Sequence, residues 1–340
     1  MALDDLLSSE QYENSNVYII GDENSVLHCL PRLIEEVSSL KKAGVLEIES
    51  GEEHKNLETC VDLWGTLTDG NVDRNAIIIN LGGGVIGDMG GFVASTYKRG
   101  LDFINIPTTL LSQVDASVGG KLGVDFNRLK NHIGVFNNPK GVFVCSDFLD
   151  TLSYEELRSG YAEVIKHGLI ADAEYWKYVK RDDLKSIDDW DDIIFRSIEI
   201  KNEIVLKDPK EENDRKALNF GHTIGHAIES TFLGVEGKHL LHGEAIAIGM
   251  ICEAYISSKI CDLPSEQLTE IKEYIISIYG KPEIKISDEE EFINYVKNDK
   301  KNQGAETRVT LIPEIGNYLV DKHVTHSLIF ESLKFYRQED

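Results

Sequence analysis

Polar side chains in the second half of the chain have the spacing of a metal or substrate site. His222 and His226 lie four residues apart, and with Arg215 and Asn219 they step by four, three and four residues. This spacing predicts one helix over residues 215–232 with all four side chains on one face. Burying such groups without partners is costly. The pattern therefore favours a lined cavity, with a solvated helix face as the alternative.

A carboxylate and a further histidine would complete a metal site. Glu163 and Lys166 face the same side of another predicted helix, although a structural ion pair explains their spacing equally well. His239 and His242 precede a third helix, and spacing does not choose between them. Two imidazoles and a carboxylate with an open position make a catalytic zinc site. Spacing alone nominates both members of the 222/226 pair as the imidazoles.

A glycine-rich turn in the first half is typical of nucleotide binding. Residues 82–87 read Gly-Gly-Gly-Val-Ile-Gly between an apolar strand pattern, residues 76–81, and a helical pattern. Glycines let backbone amides approach a pyrophosphate. A plain tight turn is the alternative, because the acidic residue expected about 20 residues later is missing, Asp102 being too close and at a strand start.

Other polar residues follow predicted strands, where open parallel sheets bind ligands. Asp22 and Asn24 follow the apolar run 17–20, and Thr108 and Thr109 follow the run 103–106. Carboxylate and amide oxygens after the first strand are suited to ribose hydroxyls. Helix capping explains Asp22 and both threonines equally well.

Charge limits the classes of partner. The formal net charge of −24 argues against binding to nucleic acid or to an anionic membrane, because both would repel such a surface. An anionic small molecule must therefore meet a local basic cluster. Candidates are Lys98-Arg99, Lys121, Lys130-Asn131-His132, Lys201 and Arg215, although each lysine alone also fits a solvated surface position.

The remaining pattern predicts two domains. Residues 1–150 alternate short β-branched runs (17–20, 76–81, 103–106 and 142–145) with helical patterns, which predicts an α/β nucleotide-binding domain with a largely parallel sheet. Residues 151–340 predict a mainly α-helical domain for metal and substrate. Its predicted helices are 154–171, 190–206, 215–232, 244–260 and 265–279, with a strand at 308–312 and a surface helix and loop at 287–303.

The cysteines and the apolar runs indicate the compartment. Five cysteines are scattered without a C-x-x-C pair, which is typical of reduced cytosolic thiols. No apolar run reaches membrane-spanning length, and the first residues are acidic. The prediction is a cytoplasmic protein.

Six sequence blocks, spread from about residue 80 to 250, resemble the 3-dehydroquinate synthase family of the shikimate pathway. They are GGGVIGDMGGFVASTYKRG, INIPTTLLSQVDASVGGKLGVD, KNHIGVFNNPK, ELRSGYAEVIKHGLI, NFGHTIGHAIE and HGEAIAIGM. Weaker agreement runs from Asp22 to the late strand. The resemblance implies the fold of these sugar phosphate cyclases and a homodimer.

The resemblance also implies the reaction. The family converts 3-deoxy-D-arabino-heptulosonate 7-phosphate, a phosphorylated keto-acid sugar, to 3-dehydroquinate and phosphate. It uses NAD and a divalent metal, zinc or cobalt. Oxidation at C5, phosphate elimination, reduction and an intramolecular aldol closure follow one another with no net redox change, and the substrate's phosphate takes the C6 proton. Two other readings remain: another cyclase such as 2-deoxy-scyllo-inosose synthase, and a metal-dependent NAD polyol dehydrogenase.

Carried over residue by residue, the resemblance assigns the site. The metal ligands are Glu163, His222 and His242, so that His226 binds the substrate phosphate instead. The catalytic and substrate-binding residues are Asp115, Lys121, Lys166, Asn219, Arg215, Lys201, Asn131, His226 and, from the second subunit, Arg99. The cofactor-binding residues are Asp22, Asn24, Glu52, Lys55, Gly83, Gly84, Asp88, Thr108, Thr109, Lys121 and Lys130. A further lysine is either Lys300 or Lys301.

One segment departs from the family pattern. Asp208-Pro-Lys-Glu-Glu stands where the family carries D-E-R-E. We expect this change to alter a loop without touching any of the assigned site residues.

Overall fold

The chain divides into two compact units, Met1–Leu152 and Ser153–Asp340. The computed structural model describes residues 2–127, 129–232, 240–284, 286, 289–298 and 307–337. The predicted domain boundary, after residue 150, lies two residues before this division.

The first unit is built on a five-stranded parallel sheet. Its strands are β1 (Val17–Asp22), β2 (Gly44–Ile48), β3 (Ile77–Gly82), β4 (Asp102–Pro107) and β7 (Gly141–Val142), and they lie in the order β2-β1-β3-β4-β7. Its helices are α1 (Ala2–Leu7), α2 (Glu23–His28), α3 (Leu30–Glu36), α4 (Leu57–Asp69) and α5 (Gly84–Thr96). The central strand β3 is buried along its whole length, because apolar side chains cover both faces of the sheet.

The strand order creates a switch point between β1 and β3. The chain places β2 on one side of β1 and then continues on the other side with β3, β4 and β7. Ligands of such sheets bind at the carboxyl ends of the strands where the order reverses. The carboxyl ends of β1 and β3 are therefore the expected binding edge.

An antiparallel hairpin lies outside this sheet, and the sequence pattern did not predict it. It consists of β5 (Lys121–Phe126) and β6 (Leu129–Phe136), with Lys121 opposite Phe136. The last predicted strand, 142–145, is wrong in length, because only Gly141 and Val142 pair with β4.

The second unit is mainly helical, so the predicted fold class is confirmed. Its helices are α6 (Tyr154–Ala171), α7 (Ala173–Val179), α8 (Trp190–Lys207), α9 (His222–Phe232), α10 (His242–Ile260), α11 (Ser265–Tyr279), α12 (Glu289–Asn298) and α13 (His326–Arg337). Strands β8 (Thr307–Leu311) and β9 (Leu319–Val324) form a small antiparallel sheet. Within the described ranges, no helix is long and apolar enough to cross a membrane.

The predicted helix over residues 215–232 is wrong. A short 3₁₀ helix (Asp214–Asn219) comes first, and α9 begins only at His222. Between them Gly221 has φ +81°, a left-handed conformation that ends a regular helix and that glycine adopts without steric cost. Arg215 and Asn219 therefore do not share one helix face with the two histidines.

Candidate active site

The glycine-rich turn joins β3 to α5 at the expected edge of the sheet. Gly82 ends β3, and Gly83 is the N-cap of α5. A Cβ atom added to Gly83 would lie 3.1 Å from Thr109 Cγ2, so little room exists for a side chain. A small pocket at this edge is lined by Asn80, Gly82, Gly83, Gly84, Gly87, Asn105, Pro107, Ser112, Ala116 and Ser117. The predicted strand–turn–helix arrangement is confirmed, and its pocket is lined largely by small residues.

The candidate ribose and phosphate residues at this edge also cap helices. The Asp22 carboxylate accepts a hydrogen bond from the Ser25 amide (2.7 Å), and Ser25 Oγ accepts from the Asp22 amide (3.0 Å), which makes a capping box for α2. Thr109 Oγ1 accepts from the Ser112 amide (3.2 Å). Asn24 is exposed on the first turn of α2, and Thr108 is buried after β4.

A buried lysine lies beside two other predicted cofactor residues. Lys55 Nζ donates to Asp88 Oδ2 (2.7 Å), and the Lys55 side chain is only 4% exposed. Burial acts to lower the pKa of Lys55, but the negative charges of Asp88, Glu52 and Asp125 raise it overall. Lys55 therefore stays protonated and presents a fixed positive charge in this part of the first unit.

The hairpin carries most of the exposed basic residues of the predicted site. Lys121 begins β5, and Lys130 and Asn131 lie on β6. Asn131 has φ +47°, and its amide donates to Asp125 Oδ1 (2.7 Å). Arg99 ends the short turn after α5 and is exposed. Asp115, the remaining predicted residue of this unit, is half-buried in a π-helical turn, Ser112–Ala116.

In the second unit, three histidines from two helices meet. His222 and His226 lie on α9, and His242 is the first residue of α10. The ring centroids are 5.2 Å apart for His222 and His226, and 5.7 Å apart for His242 and each of the others. One nitrogen from each ring lies within 4.8 Å of the others. His239, the alternative to His242, lies outside the described residues.

Glu163 on α6 lies beside this group of histidines. Its side chain is 1% exposed, forms an ion pair with Lys166, and places Oε1 3.5 Å from His222 Nε2. The predicted contact of Glu163 with Lys166 at i, i+3 is confirmed.

Two of the histidines present the same ring nitrogen. His222 Nδ1 lies 3.2 Å from the Phe220 carbonyl oxygen, which only accepts, so Nδ1 carries the proton. His242 Nδ1 lies 3.5 Å from Glu229 Oε2 on α9, which favours the same tautomer. Both rings therefore have Nε2 available as a metal ligand, and carboxylate or carbonyl partners of this kind are typical of metal-binding histidines.

The donor set fits a divalent metal. Lys166 pairs with Oε2 of the Glu163 carboxylate, but Oε1 is buried and accepts no hydrogen bond from the described residues, which is costly for a polar atom. Two ligands of a tetrahedral zinc ion, each at about 2.0–2.1 Å, stand about 3.3–3.4 Å apart. The separation of 3.5 Å between Glu163 Oε1 and His222 Nε2 is close to this value.

The start of α10 is fixed against α6, which places His242. Gly243 approaches α6 so closely that an added Cβ atom would lie 2.0 Å from the Ser159 carbonyl oxygen. Its amide donates to Ser159 Oγ (3.0 Å). Glu244 accepts from the Leu241 amide (3.0 Å) and contacts Arg158. The histidine next to Gly243 is thereby held near the helix that carries the carboxylate.

Two buried cations of the predicted site lie on α8 and on the 3₁₀ helix that follows it. Arg215 is 2% exposed and Lys201 is 5% exposed, and α8 packs against the segment that carries Arg215. Two buried positive charges on elements that pack together suit the binding of an anionic ligand.

The expectation that the 208–212 loop touches no site residue is wrong. Arg215 Nη1 donates to the Pro209 carbonyl (2.7 Å), and Asn219 Nδ2 donates to Glu211 Oε1 (3.0 Å). Asp208 accepts from the Arg215 amide (3.1 Å) and from two other amides of the loop. The chain reverses direction after α8 and brings this loop back onto the 3₁₀ helix. No residue pattern in the sequence indicates these contacts.

We expect the stability of this loop to depend on pH through the Asp208 carboxylate. Burial acts to raise the pKa of Asp208, but hydrogen bonds from the amides of Asn213, Glu212 and Arg215 lower it overall. A lowered folded-state pKa stabilises the loop above the pKa of the unfolded state, and this contribution is lost as pH falls through the folded value.

We expect Asp208→Asn to speed hydrogen exchange of the Glu212, Asn213 and Arg215 amides near neutral pH. The asparagine side chain has one neutral acceptor oxygen, whereas the carboxylate accepts from these amides with two charged oxygens. Acidification should lower the protection factors of these amides, which compare their exchange with that of an unfolded peptide at the same pH, in the native chain and have little effect on them in the variant. Asp183→Asn is a matched control, since Asp183 also caps a short helix by accepting from Lys185. Equal exchange in native chain and Asp208→Asn at neutral pH would contradict the role of this carboxylate.

A larger and more open groove of the second unit holds none of these residues. It is lined by Lys180, Ser265, Glu266, Thr269, Glu270, Glu273 and Tyr274. Its lining residues include no histidine and neither of the two buried cations, Lys201 and Arg215. Lys300 and Lys301 lie outside the described residues.

Family models match most of the chain. The model described as 3-dehydroquinate synthase N-terminal matches residues 45–159, and the one described as 3-dehydroquinate synthase C-terminal matches residues 160–302. A 3-dehydroquinate synthase from Parabacteroides distasonis is 42% identical over 99% of this chain and 95% of its own length. One from Nitratiruptor sp. is 39% identical over 86% of this chain and 83% of its own.

Solved structures share the fold at lower identity. A 2-epi-5-epi-valiolone synthase from Streptomyces hygroscopicus, with NAD⁺ and Zn²⁺ bound, has a TM-score of 0.85 at 24% identity and covers 99% of this chain and 93% of its own. A 2-deoxy-scyllo-inosose synthase with carbaglucose-6-phosphate, NAD⁺ and Co²⁺ has a TM-score of 0.81 at 24% identity, covering 98% and 94%. A glycerol dehydrogenase from Schizosaccharomyces pombe has a TM-score of 0.63 at 16% identity, covering 95% and 83%.

Proposed function

The chain belongs to the 3-dehydroquinate synthase family, and from that membership we propose that it converts 3-deoxy-D-arabino-heptulosonate 7-phosphate to 3-dehydroquinate and phosphate. The observation that carries the proposal is the buried Glu163 carboxylate facing His222, with His242 close by. This donor set suits a metal that binds vicinal hydroxyls of a sugar. NAD and zinc or cobalt are the proposed cofactors.

Glu163, His222 and His242 would hold the metal, which when bound acidifies the substrate hydroxyls beside the carbon to be oxidised. The preference for His242 over His226 rests on the family resemblance. The tautomers support it, because Nδ1 of His222 and of His242 faces an acceptor and leaves Nε2 for the ion. His226 is then proposed to bind the substrate phosphate, its ring lying 5.2 Å from that of His222.

The proposed nucleotide site is the carboxyl edge of the parallel sheet. When bound, NAD accepts and returns one hydride. Amides at Gly83 and Gly84 suit the pyrophosphate. Gly83 is the N-cap residue of α5, and no side chain accepts a hydrogen bond from the first amides of this helix. Asp22 and Asn24 are proposed to bind the ribose, and Thr108 and Thr109 are proposed to bind other parts of the cofactor.

Charged residues around this edge complete the proposed cofactor contacts. Lys55 and Asp88 form an ion pair, and Glu52 is close enough to raise the pKa of Lys55. These residues present positive and negative charges side by side for polar groups of the cofactor. The exposed Lys121 and Lys130 of the hairpin add positive charge that suits phosphate oxygens.

Substrate groups are assigned by charge. Arg215 and Lys201, both buried, are proposed to bind the carboxylate, as the family resemblance implies and because their positive charge suits it. Asn131, Lys121 and His226 are proposed for the phosphate. Asp115, Lys166 and Asn219 are proposed for the ring hydroxyls. The substrate's own phosphate would take the C6 proton, so that no additional protein base is needed.

The test compares substrates with the native chain, NAD⁺ and zinc. We expect phosphate release and 3-dehydroquinate formation from the heptulosonate phosphate, and no phosphate release from glucose 6-phosphate, which lacks a carboxylate. Release from glucose 6-phosphate would instead favour a 2-deoxy-scyllo-inosose synthase. Steady NADH formation from glycerol without phosphate release would favour a polyol dehydrogenase.

Assembly and compartment are proposed on narrower grounds. Arg99 is exposed and would serve a second copy's phosphate site, which makes a homodimer the proposed assembly. A single-chain mass in solution at working concentration would contradict it.

The proposed compartment is the cytoplasm. All five cysteines are free thiols, which is typical of cytoplasmic proteins.

A further inference from the structure

A buried carboxylate on α10 holds the start of the helix that carries two of the histidines. Glu253 is 0% exposed. Its Oε2 accepts from the Gly221 amide (2.7 Å), and its Oε1 accepts from the Ile224 amide (3.3 Å). It lies outside the proposed metal, cofactor and substrate residues.

These two amides are the ones that a capping box satisfies. Gly221 precedes the first residue of α9, and its carbonyl accepts the first helical hydrogen bond, from the Gly225 amide (3.0 Å). Gly221 is therefore the N-cap and Ile224 is the third helical residue. In a capping box, a side chain at the N-cap binds the amide at the third position, and a side chain at the third position binds the N-cap amide. Here glycine and isoleucine have no such groups, and Glu253 accepts from both amides.

A carboxylate suits this position for a physical reason. The amides at the start of a helix carry partial positive charge, equivalent to about half an elementary charge at the N-terminus. A buried carboxylate that accepts from two of these amides is stabilised by that partial positive charge. A neutral glutamine retains one acceptor oxygen, but its NH₂ group would face the second amide.

The held backbone sets the direction of the His222 ring. His222 follows Gly221 directly, and its Nδ1 donates to the carbonyl of Phe220, the residue before Gly221. Nε2 is thereby turned to Glu163, 3.5 Å away. A shift at Gly221 would move both the ring and the carbonyl that fixes its tautomer.

We propose that Glu253 is a positioning residue for the metal centre: by capping α9 from α10 it fixes the angle and tautomer of His222. This inference rests on the proposed metal site. Residues that orient a metal ligand through another group typically change metal affinity 10–100-fold when replaced, and we expect Glu253→Gln to weaken Co²⁺ and Zn²⁺ binding by about that factor.

The matched control is Glu270→Gln. Glu270, on α11, also accepts two hydrogen bonds, from Trp176 Nε1 (2.8 Å) and Lys180 Nζ (2.5 Å). It lies outside the proposed metal and substrate residues. We expect it to lower the unfolding midpoint while leaving Co²⁺ affinity within about twofold of the native chain.

The experiment measures Co²⁺ binding by visible absorption, Zn²⁺ binding by competition with a chelator, and the His222 tautomer by ¹⁵N NMR of metal-free protein. Native chain should have the Nδ1–H tautomer, and Glu253→Gln should have a mixture of tautomers. Glu253→Asp, which keeps the charge but is shorter, should give an intermediate loss and serves if the glutamine variant does not fold. Native affinity and tautomer in a folded Glu253 variant would overturn the positioning role. Failure of the native chain to bind either ion would overturn the metal centre itself.

Discussion

Glu163→Gln should lower kcat/KM by about 10³-fold and remove the visible spectrum of bound Co²⁺. The carboxylate is buried and lies 3.5 Å from His222 Nε2, so its negative charge is close to a cation that this nitrogen would bind. Metal-ion stabilisation of transition-state charge amounts to several kcal/mol, and each 1.36 kcal/mol is about a tenfold change in rate.

Loss of stability must be separated from loss of the metal. Glu163→Gln also leaves Lys166 without the carboxylate with which it forms an ion pair, and breaking a buried ion pair costs about 3–5 kcal/mol. The double variant Glu163→Gln, Lys166→Met removes both charges and should recover much of that free energy of unfolding. It should recover neither Co²⁺ binding nor activity. Metal binding by the stable double variant would show that Glu163 is not a ligand.

Arg215→Gln should raise KM for the heptulosonate phosphate by about 10²-fold with a smaller effect on kcat. Hydrogen bonds to charged groups contribute about 1.5–3 kcal/mol each, and guanidinium binds carboxylates with two of them. Arg215 is 2% exposed and its Nη1 is held by the Pro209 carbonyl, so the side chain is oriented before the substrate arrives.

The neighbouring residue supplies the matched control. Lys216 carries the same charge and forms an ion pair with Asp321 (2.7 Å) on β9, outside the proposed carboxylate site. Lys216→Gln should change KM by less than about threefold. A substrate analogue without the carboxylate should lose affinity for native chain but not for Arg215→Gln. Equal KM values for native chain and Arg215→Gln would contradict the assignment of the carboxylate to this residue.

Long helices with local capping could be predicted from the sequence. The interval Tyr154–Ala171 matches α6 at both ends, because its apolar spacing is continuous and Ser153 caps it by accepting from the Glu156 amide (3.2 Å). The glycine-rich turn was predictable for a similar reason, since the strand and the helix on either side of it follow directly in sequence.

Features that depend on distant contacts could not be predicted. Periodicity continues through Gly221 although the backbone does not, because the left-handed conformation there is held by Glu253, 32 residues later in the chain. Strand β6 was missed because its first four residues are exposed on both faces, which leaves no alternation of apolar and polar residues to read.

The ligand set shows the limit of spacing most clearly. Spacing nominated His222 and His226, and the structure brings both together with His242. Glu163 reaches the same group from α6, 59 residues before His222, through tertiary packing alone. The selection of His242 stays a prediction from the family resemblance, supported by the acceptor that Glu229 offers to its Nδ1.

The most direct test of the proposed reaction records phosphate and NADH absorbance together during turnover. It uses the heptulosonate phosphate, NAD⁺ and zinc, and compares the native chain with His242→Ala. We predict phosphate release without lasting NADH in the native chain, because the hydride returns within each cycle, and loss of release in His242→Ala. Lasting NADH without phosphate would contradict the cyclase reaction, and undiminished release by His242→Ala would contradict the metal centre.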